Sequence, residues 1–480
     1  MTRHVALLVA WLASIPGCSV VTANNRQSVQ ATQAVSSGDP AAALAALEGH
    51  DDLPDRLDRA VILADMGRPA ASNEEFDRAL AMIQGYEGRA VVSAQDAGRN
   101  LSSLALNDKM LEYKGEGFEK VLIHVYKARN FVLLGDEEAA RVEIRNANLR
   151  QDEERRHHRE AIDEARAEAK GAVDAAKLDG EIDRQFVQQQ AILARLDNVY
   201  QNPFATYLSG YVYEANGEPG EAFVDYKNAF QMTHSPLVGA DVVRLAQKLK
   251  RKSEAKALGL DVPSGNPTSG GDTLVLLDNG FAPQRRQIKF PIPTTQTVLF
   301  AAVPISQPIA SDLGESEIVD QRGNVLGRTE MLVDVEAMSV RNLRDRYPEI
   351  LVRQVARVAA KGAAAHAAHE GAKSKKSGSN DRTAELLVDL ATSVFNAVTE
   401  QADLRTWYAL PRSMHVARVH TPQDASTVTL RLLSPGGQTL REVSAPIVST
   451  KGGEKIVVAR YVGGTVLTQA PASDALSMRR

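Results

Sequence analysis

"NGEPGEAFVDYKNAF", Asn216 to Phe230, sets a turn glycine, Gly217, between two stretches of helical period. Counting from that glycine, Gly210 lies seven residues before, Tyr213 four before, Ala222 five after, Tyr226 nine after and Ala229 twelve after. The same offsets around Gly135 give Ala128, Phe131, Ala140, Ile144 and Ala147, and around Gly67 they give Ala60, Leu63, Ser72, Phe76 and Ala79. Gly38 is a weaker fourth, with Ala31, Ala34, Ala43 and Leu47. Small side chains at fixed places let two helices approach closely, large ones fill the gap between them, and recurrence at a fixed period marks a repeat array.

The pattern resembles the tetratricopeptide repeat, a helix, a tight turn and a second helix. Gly67 and Gly135 stand about two units of ~34 residues apart, which leaves room for a divergent unit over Ala90 to Tyr113. A non-repeat helical bundle would share the fold class. The expected fold is mainly α: a tetratricopeptide-like helical solenoid with a projecting helical hairpin, followed by a smaller α+β domain with an antiparallel sheet. The repeat domain is placed at 36–262. Charged, strongly helical sequence at 148–200, with Gly180 closing its first arm, reads as the hairpin, either a partner-binding arm or a solvated insertion. "PSGNPTSGG" at 263–271 reads as a linker. Short apolar or alternating runs beyond it, such as "TLVLL", "STVTLRLL" and "KIVVARYV", read as strands of a β-rich domain over 272–465, with a helical insertion at 335–402 and a disordered tail at 466–480.

The N-terminus carries the chain's single cysteine. Arg3 and His4 precede the apolar run "VALLVAWLA", and "SIPG" precedes Cys18, which is the layout of an export signal. That run is too short to span a bilayer, which takes about 20 residues. Ile15-Pro16-Gly17-Cys18 resembles the bacterial lipobox, with Pro16 departing from the usual small residue. Residues 1–17 are then a lipoprotein signal peptide, Cys18 the lipid attachment point for fatty chains such as palmitate, and 18–35 a tether. Two or three acyl chains, at ~0.8 kcal/mol per buried methylene, anchor a protein durably. Ser19 and Val20, with no Asp, favour sorting to the outer membrane, facing the periplasm.

Composition narrows the function. With 56 basic against 60 acidic side chains and a net charge of -4, no surplus exists to neutralise a phosphate backbone, so nucleic acid is not expected as a partner. Aromatic residues at 5% suit close-packed helices better than an all-β sandwich. None of the nucleophile-elbow, phosphate-loop, dinucleotide or H-E-x-x-H motifs occurs. No catalytic residue, metal ligand or cofactor is therefore assigned. In "HAAHE", His366 and His369, next to Glu370, have metal-like spacing, but no third ligand is evident and the histidines read as surface residues. Tyr207, Tyr211 and Tyr213 in "YLSGYVYEANG" are candidate partner-binding residues on a solenoid groove, or else inter-helix packing. Trp407, beside Tyr408, is a candidate contact or else a structural corner between helix and strand.

The stretch "NDKMLEYKGEGFEKVLIHVYKARNFVLLGDEEAARVEIRNANLRQ", Asn107 to Gln151, and the later "DLRTWYALPRSMHVAR" resemble an uncharacterised family of bacterial lipoproteins with tetratricopeptide-like N-terminal repeats. Its members are often encoded near an outer-membrane lipoprotein that activates penicillin-binding proteins. The resemblance implies a role around peptidoglycan synthesis and identifies no binding residue. Taken with the repeat array, the lipobox and the lack of a catalytic motif, the expectation is a non-catalytic protein-interaction scaffold in cell-envelope or peptidoglycan assembly, anchored in the membrane by its N-terminal lipid, with envelope proteins as partners. An accessory factor that binds cell-wall glycan or lipid through the C-terminal domain is the alternative, with peptidoglycan as its ligand.

Overall fold

A computed structural model describes residues 26–96, 112–172, 184, 186–196, 199, 201–264, 273–293, 298–351, 401–450 and 453–469. It is about half helical, with sheets in the C-terminal region. The helices are α1 (Arg26–Ser36), α2 (Pro40–Ala46), α3 (Leu53–Asp65), α4 (Pro69–Asp96), α5 (Gly117–Leu133), α6 (Glu137–Ala172), α7 (Gln190–Leu193), α8 (Pro203–Ala215), α9 (Pro219–Thr233), α10 (Pro236–Lys248) and α11 (Lys252–Ala257). A further helical run occupies 335–351.

Local chemistry explains where these helices start. Asp39, Asn202 and Ser235 each stand directly before a proline and accept a backbone N–H from the first turn of α2, α8 and α10; Asp52 does the same for α3. A short polar acceptor satisfies an orphan donor, and proline loses nothing at a position whose N–H has no partner.

The ends of the first helices are equally regular. Gly38, Gly67, Gly135 and Gly217 have φ between 67 and 80, the left-handed region that glycine alone enters freely. In each turn the next residue donates its N–H to the position four before the glycine: Asp39 to Ala34, Arg68 to Leu63, Asp136 to Phe131 and Glu218 to Tyr213, at 2.8 to 2.9 Å. This is the Schellman closure. The residues at the other repeat offsets, Ala31, Ala60, Ala128, Ser72, Phe76, Ala140, Ile144, Ala222, Tyr226 and Ala229 among them, are all buried.

The strands are β1 (Thr273–Asn279), β2 (Gln284–Pro293), β3 (Val298–Gln307), β4 (Glu315–Val319), β5 (Val325–Arg328), β6 (Glu330–Asp334), β7 (Ser413–Val419), β8 (Thr427–Leu433), β9 (Thr439–Pro446), β10 (Val448–Ser449), β11 (Lys455–Val462) and β12 (Thr465–Gln469). The central six-stranded sheet runs β10-β11-β1-β7-β6, with β12 on the outer side of β11. A four-stranded sheet, β5-β4-β8-β9, packs on one face of it, and β2 and β3 form a separate ribbon. Among the described residues the pairings are antiparallel except for one: β1 runs parallel to β11, with Thr273 opposite Lys455. The wholly antiparallel sheet expected from sequence is corrected to that extent. A parallel neighbour needs only a long crossover, and nearly the whole domain separates these two strands.

The other face of the central sheet packs on the helices. Leu274, Leu276, Met414, Val416, Ile456 and Val458 belong to the same hydrophobic cluster as Phe76, Tyr126, Tyr207 and Tyr211. One core therefore runs through both regions, and β1 is buried at every residue because both its faces are covered.

Several expected boundaries move. Residues 26–35, placed in a tether, form most of α1, and Gln27 and Ser28 are buried against α3. Residues 18–25 lie outside the described residues, as does the signal segment. Residues 466–469, placed in a disordered tail, complete β12, where Gln469 is buried and donates to Asp65 at 2.7 Å. The first arm of the expected hairpin continues α6 without a break from Glu137 to Ala172. Most of the second arm is outside the described residues, but Phe186 packs edge-on against Tyr347 at 5.1 Å. The linker is described only at Pro263 and Ser264, where the Pro263 carbonyl accepts from Gln247. Within the expected insertion, 335–351 is helical, 401–402 is not, and 352–400 lies outside the described residues, as do His366, His369 and Glu370. The divergent repeat unit is described only to Asp96, which ends α4, and again from Glu112.

Candidate functional site

The first helix of each pair turns toward the central sheet. On α8, Tyr207 and Tyr211 are buried; the Tyr207 hydroxyl donates to Asp241 at 2.7 Å and the Tyr211 hydroxyl to the Lys455 carbonyl at 3.4 Å. Arg418 of β7 reaches Glu214, Asp241 and the Tyr226 hydroxyl at 3.1 to 3.2 Å, and Arg244 holds Glu214 from the other side. Burial opposes charge on Glu214, but the Arg244 hydrogen bond and the Arg418 and Arg244 charges outweigh it and hold its carboxyl down to about 2. The face proposed from sequence as an open groove is thus occupied by the protein's own sheet. Tyr207 and Tyr211 are packing residues of that contact, which rules them out as exposed partner contacts.

Tyr213 points elsewhere. It is half-buried and lines a surface groove of about 440 Å³ with Arg145 of α6 and Glu218, Gly220 and Glu221 at the start of α9. On the same two helices, Val142 and Leu149 of α6 are 45% and 63% exposed, and Val224 of α9 is 37% exposed. Val142, Arg145 and Leu149 recur at helical spacing and share one face. This outer surface combines apolar patches with charges of both signs.

Trp407 has no exposed surface and is no surface contact. Its ring lies 5.8 Å from both Phe76 and Tyr126, and its backbone N–H donates to Glu119 of α5 at 3.0 Å. Two residues on, the Ala409 N–H donates to Asp58 of α3 at 2.7 Å. The irregular strap over 404–411 is therefore bound to the helices through its main chain. Arg405 lies over the Tyr113 ring, so the strap also touches the segment that precedes α5.

Two further ion pairs, each no more than 1% exposed, join the layers among the described residues, and neither was read from the sequence. Arg129 of α5 meets Asp278 of β1 at 2.8 Å, and Arg460 of β11 meets Asp65 of α3 at 3.0 Å. A charge interrupting each apolar strand, in "TLVLLDN" and "KIVVARYV", was the available signal.

A second cleft, about 410 Å³, opens at the C-terminal ends of the parallel pair β1 and β11. Gly280, Phe281, Ser311, Asp312, Gly463 and Gly464 are among its lining residues. In sheets with parallel strands this end is where ligands commonly bind.

Catalytic geometry is weak. Ser413 and His415 make a contact of 2.9 Å, but both are buried and the other ring nitrogen of His415 has no partner. Burial pushes that imidazole down to about 4, keeping it neutral. No carboxylate orients it as a serine hydrolase would require. Among the described residues no cluster of three or more His, Cys, Asp or Glu could hold a metal ion, and no helix is long and apolar enough to cross a membrane. Cys18 lies outside the described residues.

No protein-family model matches this chain, and no curated protein or solved structure shows significant similarity to it.

Proposed function

We propose that the chain is an outer-membrane-anchored periplasmic lipoprotein, attached through Cys18, that acts as a non-catalytic protein-interaction scaffold in cell-envelope or peptidoglycan assembly. The four Schellman-closed turns at a common offset support the tetratricopeptide-like reading of its helical half. With the inner helix faces spent on the sheet, the surface left for an envelope partner is the outer one on α6 and α9. The groove lined by Arg145, Tyr213, Glu218 and Glu221, with Leu149 and Val224 exposed on the same two helices, is the observation that carries the reading. Large apolar side chains exposed together on an otherwise polar helix face mark an interaction surface.

A photo-crosslinking residue placed at Leu149 or Val224 in intact envelopes tests it, with buried Tyr207 as the control position. Capture of the same envelope protein from both outer positions is expected. Capture from neither would overturn the scaffold reading.

The cleft at the ends of β1 and β11 favours the second reading, an accessory factor that binds cell-wall glycan or lipid. Its Asp312 and Ser311 can accept and donate hydrogen bonds to hydroxyl groups, and Phe281 offers an apolar wall. Pelleting of the full chain with purified peptidoglycan, lost in Asp312→Ala, would favour it over the scaffold.

A further inference from the structure

Three carboxylates, Asp52, Asp55 and Asp58, recur at helical spacing along α3. Asp55 is 2% exposed and receives the Gln27 side-chain amide on both oxygens, at 3.2 and 3.1 Å, and the Ser28 hydroxyl at 3.2 Å. It is the seat on which α1 docks. Asp58 has no exposed surface; one oxygen accepts from Ala409 of the strap, and the other is buried without a hydrogen-bond partner. Neither carboxylate has an ion pair among the described residues. The arginines of the same helix are engaged elsewhere, Arg56 and Arg59 with Asp51 and Glu75. The other groups facing this surface are Ser28 beside Asp58, and Arg405, Tyr86 and Glu112 on the side of Asp52.

Two buried carboxylates three residues apart on one helix, neither paired with a cation among the described residues, are costly as anions and much less so when one holds a proton. The orphaned oxygen of Asp58 has room in the bonding scheme for that proton. We propose that the docking of α1 and of the strap onto α3 is proton-linked, with at least one proton held on Asp55 or Asp58 in the docked state, so that the contact loosens as pH rises.

Burial, reinforced by the hydrogen bond and charge of Asp52, pushes Asp55 up to about 7, and burial pushes Asp58 well above its ordinary value. A carboxylate whose value is raised on docking favours the docked state at acid pH. The advantage is complete below about 4, the undocked value, and is lost as pH climbs from there to about 7. If Cys18 carries the anchor, release of α1 frees 11 further residues of tether, roughly 3.4 Å each when extended. The docking equilibrium itself does not depend on the anchor.

Hydrogen exchange of residues 26–36 in the full chain, measured from pH 5.5 to 7.5 and corrected for intrinsic exchange, reads the opening of α1 against α10 as an internal reference. The opening constant is expected to rise about tenfold or more over that span, and to stay flat in Asp55→Asn. An unchanged constant in the natural chain, or the same rise in Asp55→Asn, overturns the proposal. Should Asp55→Asn not fold, Asp52→Asn keeps the helix cap and removes a neighbouring charge. Its rise should then finish at lower pH, and an unmoved midpoint overturns the proposal equally.

Discussion

Arg129 and Asp278 meet at 2.8 Å with 1% and 0% of their side chains exposed, one from the helical half of the chain and one from the first strand of the sheet. The Tyr126 hydroxyl donates to the same carboxylate, and the guanidinium lies 4.2 Å from the Tyr126 ring centroid. Burial of this kind opposes charge, and the pair persists because each member answers the other. Arg129→Met leaves the Asp278 carboxylate alone in the core and should cost about 3–5 kcal/mol. Arg129→Met combined with Asp278→Leu should recover much of the loss, as read by urea unfolding.

Trp407 fills the space between Phe76 and Tyr126, so Trp407→Ala opens a cavity. A loss of about 3–5 kcal/mol is expected, with a lower Tm and faster proteolysis in the strap. A change within ~0.5 kcal/mol, the range of ordinary surface substitutions, would show that the strap contributes little.

Gly210 reports on helix approach. A Cβ there would stand 2.6 Å from the Tyr226 ring, a ring itself buried and hydrogen-bonded. Gly210→Ala should therefore destabilise by about 1–3 kcal/mol, although alanine is the better helix former. Thermal unfolding of the variant checks the sign.

Acid should weaken the junction of α8, α10 and β7. Glu214, held down to about 2 against an ordinary 4.5, contributes stability that is complete above about 4.5 and is lost as pH falls from there toward 2. Glu214→Gln should unfold more easily than the natural chain at pH 7, and the difference should shrink below pH 4. A gap that stays constant down to pH 3 would contradict the assignment.

Much of this architecture was legible in the chain. The offsets around Gly38, Gly67, Gly135 and Gly217 picked out buried positions and the turn bonds that close each first helix, because small-residue spacing is dictated by neighbours in sequence. Strands β1, β2, β3, β7, β8, β9 and β11 were legible from their apolar or alternating runs, whereas β4, β5, β6 and β12 were not. What the chain concealed was the partner of the inner helix faces. Tyr207 and Tyr211 read more readily as inter-helix packing residues than as groove residues, and what they pack against, β7 and β11, lies more than 200 residues away in sequence. Polar sequence likewise hid the fact that Gln27, Ser28 and Gln469 are buried, since each owes its burial to a carboxylate on α3.

The helices and the sheet share one core, and the inner helix faces are spent on it. Urea unfolding of the Trp11→Phe chain, followed by Trp407 fluorescence and by helical circular dichroism, tests it most directly. The two probes should trace a single coincident transition. Helical signal surviving after Trp407 has become exposed would mean that the helical half stands without the sheet, and would contradict the account.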